Sequence, residues 1–164
     1  MSSIVGIDPG LQGALAMISP DSQVEIWQMP VIKYNKTNSI DVKALVTIAK
    51  KHLELGVTTV VIEQVASRPG QSVSAMFKFG MGYGILQGIY QCLWIPIILA
   101  RPQDWKGLIL KGTDKSKQAA IEYVQRRYPQ VSLTPGRLTQ PHDGIAESIC
   151  IAEYGQREFI KGIL

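Results

Sequence analysis

Cysteine is scarce in this chain of 164 residues, with only Cys92 and Cys150, each inside an apolar run of helical spacing and neither in a CxxC or Cys/His pattern. That scarcity excludes a disulfide scaffold and a structural zinc site, and predicts two buried, reduced thiols. Long apolar runs are missing too: stretches such as residues 94–100 fall far short of the roughly 20 residues that cross a bilayer. Charged residues make up only 18% against 46% hydrophobic, with mean hydropathy +0.08. This balance excludes disorder over most of the length and leaves room for one domain, residues 1–164, with a real core. No basic and apolar leader precedes Ile4, so nothing marks the chain for export and no membrane partner is expected. Internal repeats and low-complexity segments are absent as well.

What is present is a modest basic excess, 17 Lys and Arg against 13 Asp and Glu, with a sequence pI of about 9.1. Arg101, Lys106, Lys111, Lys115, Lys117, Arg126 and Arg127 crowd into the second half, while several acids lie in apolar surroundings. The asymmetry describes a basic face around an acidic centre, the electrostatic footprint of a nucleic-acid partner.

Apolar, β-branched runs at 4–8 and 13–19, joined by Asp8-Pro9-Gly10, and an alternating run at 23–29 predict three consecutive antiparallel strands. Residues 30–39 lose periodicity and are expected to be loop. Asp41 caps a helix over 41–55, stopped by Gly56. Residues 57–62 form an apolar strand, expected beside the first, with Glu63 at its end. A loop at 65–71 leads to a long helix over 72–93, whose Gly80, Gly82, Gly84 and Gly88 cost helix propensity and predict close packing against a neighbour. A strand at 95–99, a short helix at 102–110, a helix at 114–128, a loop at 129–141 and a last helix at 142–160 follow. That last helix carries an apolar stripe of Ile145, Ile149 and Ala152, with a wet opposite side. The order predicts an α/β fold: a mixed central sheet, three antiparallel strands then parallel ones, flanked by helices.

Asp8 and Glu63 each close an apolar strand, a costly place for a carboxylate unless a cation or donors compensate it. Asp143 and Glu147 stand four apart at a helix start and share one face. Three have plainer explanations, since Asp8 suits a turn and Asp143 and Glu147 suit a helix N-terminus, whereas Glu63 at the end of a buried strand has fewer. Their joint occurrence points elsewhere, because clustered carboxylates repel unless a divalent ion holds them, and oxygen-only ligands favour magnesium or manganese. Two such ions about 3.5–4 Å apart stabilise the attacking and leaving oxygens of a phosphodiester.

Ile4-Val5-Gly6-Ile7-Asp8-Pro9-Gly10, Val60-Val61-Ile62-Glu63-Gln64-Val65, Ser74-Ala75 with Phe79-Gly80, Arg101-Pro102, Trp105-Lys106, Asp114-Lys115-Ser116 and His142-Asp143-Gly144-Ile145-Ala146-Glu147-Ser148 follow one another as in RuvC-type Holliday junction resolvases. The chain resembles that family over nearly its whole length, and most of all its compact bacteriophage and organellar branch, which shares the His-Asp-Gly-x-Ala-acid ending. The resemblance implies an RNase H-like fold, a homodimer, and an endonuclease using two Mg²⁺ ions, for which Mn²⁺ substitutes. It implies paired symmetric nicks in four-way DNA that leave 5′ phosphates, in recombination, repair or DNA packaging. The implied setting is bacterial or infected-host cytoplasm, or an organelle after maturation. The implied catalytic and metal-binding residues are Asp8, Glu63, Asp143 and Glu147. Many cellular members space the last two ligands three apart, where this chain has Gly144, so either Asp143 or His142 completes the set.

Lys106 and Lys115 fall at the family's phosphate-contacting lysines; Arg68, Lys78, Arg101, Lys111 and Lys117 complete the expected DNA-binding set. Ala66 stands where cellular members carry a junction-stacking aromatic, leaving Arg68 or Phe77 as replacements. The helix over 72–93, apolar all round, serves either the core or a dimer interface. Three other functions fit parts of the sequence. An actin-like phosphotransferase shares Gly6-Ile7-Asp8-x-Gly10 but needs a duplicated fold. The remaining two are a nuclease of structured RNA and a junction-binding module without catalysis.

Overall fold

The computed structural model describes residues 2–66, 70–160 and 162. β1 (Ser3–Asp8), β2 (Ala14–Ile18) and β3 (Val24–Gln28) pair antiparallel in chain order, as their patterning predicts. A two-stranded ribbon follows, β4 (Val31–Tyr34) and β5 (Thr37–Ile40), where a loop is expected from sequence. Asn35 and Lys36 both hold positive φ, 47° and 65°, which gives a two-residue turn whose twist suits a hairpin. Only Asn35 advertises that turn, because no glycine accompanies it.

Next come α1 (Val42–Glu54), β6 (Val57–Glu63), α2 (Val73–Cys92), β7 (Ile97–Ala100), α3 (Pro102–Ile109), α4 (Lys117–Arg127) and α5 (Asp143–Ile160). Asp41 caps α1 as expected, accepting from the Ala44 N–H, and Ser72, expected as the first residue of its helix, caps α2 by accepting from the Ala75 N–H. α4 starts three residues later than its pattern suggests. Lys115 has φ 59°, outside any helix, and the Ser116 hydroxyl caps the Ala119 N–H instead.

The main sheet runs β3-β2-β1-β6-β7, with β1, β6 and β7 parallel to one another. Its two faces carry separate cores, as the period-2 alternation requires. Val5, Ile7, Val60 and Ile62 face α1 and α2; Ile4, Ala14, Ala16 and Val61 face α5, with α3 and α4 packed around that helix. α5 is therefore buried on nearly every side from Gly144 to Glu153, and its expected wet face is covered by α3 and α4. Cys150 is buried with it, whereas Cys92, at the end of α2, is exposed, contrary to its apolar surroundings in sequence. Among the described residues no helix is long and apolar enough to cross a membrane.

α2 is two-faced. Leu86 and Tyr90 are buried, yet Val73 and Phe77 are 79% and 71% exposed. Of its four glycines only Gly82 meets a neighbour, the Ile40 side chain 3.1 Å from an added Cβ; Gly80, Gly84 and Gly88 face open space. The close packing expected from these glycines is thus confined within the chain to Gly82.

The α5 to β1 approach is set by Gly6. A Cβ there would lie 2.2 Å from both the Ala152 nitrogen and the Ser148 carbonyl oxygen. These are backbone atoms of a buried helix, which cannot give way. Gly6→Ala is expected to cost about 3 kcal/mol or more by overpacking, a fall of roughly 6–12 °C in the thermal midpoint of a chain this size, read by calorimetry.

Candidate active site

β1 and β6 are adjacent and parallel, with Ile7 opposite Ile62, so the next residue of each strand, Asp8 and Glu63, emerges at the same sheet edge. Alternation turns both toward the α5 face, in step with Ile4 and Val61. α5 begins at that edge, bringing Asp143 in its first turn and Glu147 one turn later. Gly144 lets the helix start close under Asp8: a Cβ there would stand 2.6 Å from the Gln12 carbonyl oxygen and 3.0 Å from Asp8 Oδ2.

The electrostatics follow from that convergence. Burial first, and then the negative charge of Glu147, Glu63 and Asp143, push the Asp8 carboxyl up to about 7, although the Gly10 N–H opposes the shift. Asp8 therefore senses all three other acids singled out in the sequence. Each of those has a donor of its own. The Trp105 indole N–H donates to Glu63 Oε1 at 3.0 Å, and Lys106 Nζ donates to Glu147 Oε1 at 3.1 Å. Lys117 Nζ donates to Asp143 Oδ2. Burial alone would raise the Asp143 carboxyl, but the Lys117 hydrogen bond and charge hold it below its usual value; the same contact raises the Lys117 ammonium.

His142 caps α5. Its Nδ1 accepts the Ile145 N–H at 3.2 Å, and its carbonyl accepts from Ala146. Glu147 Oε1, not His142, meets Lys106. Among the described residues, no three His, Cys, Asp or Glu side chains stand close enough together to hold a metal ion as placed.

Asp8 and Glu63 open into a cleft of about 530 Å³, also lined by Ala66, Phe79, Arg101 and Gln103. Pro9 and Phe79 continue into a neighbouring apolar groove of about 590 Å³ between α2 and β5, where Lys78 stands. Of the expected DNA-binding residues, Lys106 and Lys117 reach the acids. Arg101 borders the cleft, its guanidinium paired with Asp104 at 2.7 Å. Lys111 and Lys115 are exposed on the connection between α3 and α4. Arg68 lies outside the described residues. Phe77 points to solvent, while Phe79, named in the sequence only as part of a family motif and not as a replacement aromatic, lines the cleft with Ala66. Trp105 was also missed as a contributor: its spacing on α3 signals only a buried position.

A carboxyl raised from 3.8 to about 7 opposes folding once it must ionise. Asp8 keeps its proton in the folded chain while the unfolded chain has lost it, so stability falls as pH rises from about 4 to about 7 and is flat beyond. The penalty is at most about 4 kcal/mol, from about 1.4 kcal/mol per unit. Asp8→Asn in chelator is expected to unfold at a higher temperature than wild type at pH 8, with the gap closing below pH 4. A gap that is constant with pH would contradict the shift.

No family model and no curated protein matches the chain. Solved structures do. Thermus thermophilus RuvC in complex with Holliday junction substrate superposes with a TM-score of 0.69 at 13% identity, over 99% of this chain and 98% of that one. A second Thermus thermophilus RuvC structure gives 0.63 at 14% identity, over 98% and 97%. The chain thus has the RNase H-like fold of the RuvC proteins, the fold that its motifs imply.

Proposed function

We propose that this chain, as a single nuclease domain over residues 1–164, is a RuvC-type endonuclease. It hydrolyses one phosphodiester in each of two opposed strands of four-way DNA and leaves 5′ phosphates, with Mg²⁺ or Mn²⁺ as cofactor. The observation that carries this reading is the convergence of Asp8, Glu63, Asp143 and Glu147 at one end of the sheet, where burial and the three other charges raise the Asp8 carboxyl. A fold does not gather repelling charges without something to offset them.

The donor set fits a hard divalent ion by its chemistry: four carboxylates and no thiolate. Asp8, Glu63, Asp143 and Glu147 would hold it, with His142 kept to its capping role. Bound there, the ions supply an activated water and stabilise the departing 3′ oxygen. Around them, Lys106 and Lys117 are placed to exchange a carboxylate for a substrate phosphate, and Arg101 borders the same cleft. Lys78, Lys111 and Lys115 extend the positive surface, and Arg68 is proposed as a further DNA contact from its type alone. Phe79, half-exposed beside Ala66, offers the aromatic face that this cleft otherwise lacks. The cellular role is recombination, repair or DNA packaging in the cytoplasm.

An end-labelled four-way junction and a linear duplex, each in Mg²⁺ and in Ca²⁺, test the reading on a denaturing gel. Paired symmetric nicks in the junction alone are expected. Asp8→Asn and Glu63→Gln are expected to lose at least the 10–100-fold that a disturbed ligand partner costs, while still binding the junction. Full turnover in both variants overturns the assignment. Cleavage of RNA hairpins alone makes the chain an RNA nuclease, and binding without nicks makes it a non-catalytic module.

The same function calls for a homodimer, since a two-fold enzyme presents two sites to a two-fold junction. α2 supplies the surface: Val73, Phe77 and Met81 are exposed, and Gly80, Gly84 and Gly88 leave room for close approach. A Cβ at Gly84 has no neighbour within 4 Å, and Gly84→Arg improves helix propensity by about 1 kcal/mol, so a monomer tolerates it. Analytical ultracentrifugation is expected to show a dimer for wild type and a monomer for the variant; a dimer in both removes α2 from the interface.

A further inference from the structure

Trp105 is fully buried in the core beside α5, and its indole N–H ends on Glu63 Oε1 at 3.0 Å. The next residue, Lys106, carries its ammonium 5.0 Å above the Trp105 ring and bonds Glu147 Oε1 at 3.1 Å. Two consecutive residues of α3 therefore reach carboxylates from two different elements, β6 and α5. The two contacts differ in kind. An ammonium neutralises a carboxylate and competes with any cation that approaches it. An indole N–H is neutral, donates one hydrogen bond, accepts none, and is no metal ligand. It can fix the orientation of a carboxylate and remain bonded while the other oxygen of that carboxylate turns to a cation.

The ring has no freedom of its own. It is fully buried in the core that also holds Leu110, Ile149 and Cys150, so the donor is aimed by the fold and not by the ligand. Glu63, by contrast, is a long side chain at the last position of β6, only partly buried, so core packing by itself does not set the direction of its carboxylate. A buried donor bonded to a carboxylate at the mouth of a cleft is the arrangement by which outer partners orient metal ligands elsewhere.

We infer that Trp105 is a positioning residue for Glu63: its indole N–H claims Oε1 and presents the carboxylate to a divalent ion in the cleft. The inference rests on the proposed metal-dependent function. It concerns ion binding by the protein itself, which is measurable without DNA.

The test is Mn²⁺ titration by calorimetry on the DNA-free full chain, beside thermal unfolding in chelator. Trp105→Phe keeps an aromatic ring and removes the donor. It is expected to weaken Mn²⁺ binding by about 10–100-fold and to raise the Mn²⁺ concentration for half-maximal junction cleavage in parallel, with the KM for junction unchanged. Ile109→Val, in the same core and with no hydrogen bond to give, separates packing from positioning: it is expected to lower the midpoint and leave Mn²⁺ affinity alone. In a Glu63→Gln background, Trp105→Phe is expected to cost no further affinity. Unchanged Mn²⁺ affinity in Trp105→Phe, or equal losses in Trp105→Phe and Ile109→Val, overturns the inference while the proposed function stands. A wild-type chain that binds no Mn²⁺ and cuts no junction overturns both.

Discussion

The rest of the molecule depends on the contact of α5 with β1 at Gly6, where the helix backbone crosses the strand at the distance a side chain would occupy. At Gly155 the same closeness recurs, with an added Cβ only 2.6 Å from Val61 and 2.9 Å from Ile4. A helix held this near the sheet has no rotational or axial freedom. Its N-terminus is thereby fixed beside the ends of β1 and β6, and Gly144 seats it under Asp8. The geometry of four carboxylates is set by where two backbones touch.

Holding those acids together is unfavourable, and the chain spreads the compensation unevenly. Asp143 and Glu147 meet lysines from α4 and α3, and Glu63 meets an indole N–H from α3. Asp8 takes the remaining strain as a raised proton affinity. A second buried carboxylate shows the alternative. Glu153, two turns further along α5, accepts from the Tyr123 and Tyr128 hydroxyls at 2.8 and 3.2 Å and from Arg157 Nε at 3.0 Å. That network satisfies its charge within the chain, as a structural carboxylate requires. The contrast along one helix separates an acid that stabilises the fold from acids that are held ready for something else.

Burial also divides the chain's apolar surface. The cores on the two sheet faces are closed, but the outer side of α2 keeps Val73, Phe77 and Met81 in solvent beside three glycines with open space above them. A helix apolar all round has no amphipathic stripe to announce which side faces inward, so its sequence alone left core and interface equally open.

Much of the fold was legible because its cause is local. Apolar, β-branched runs around Asp8-Pro9-Gly10 placed β1 and β2, alternation placed β3, buried apolar runs placed β6 and β7, and Asp41 marked the start of α1. The ribbon of β4 and β5 escaped because its turn lacks glycine, and α4 started late because Lys115 adopts a positive φ that no residue type announces. The acids themselves were legible by type and position: a carboxylate that ends an apolar strand is out of place unless it has work to do. Which groups meet them was not. Trp105 and Lys106 lie 42 and 41 residues from Glu63 and Glu147 in sequence, and Phe79 reaches the same cleft from α2. Sequence determined which residues are costly to bury and which backbone each segment prefers, because both are properties of a few neighbouring residues. Only the tertiary structure decided which costs are met by which partners, because those contacts exist once distant segments share one packed interior.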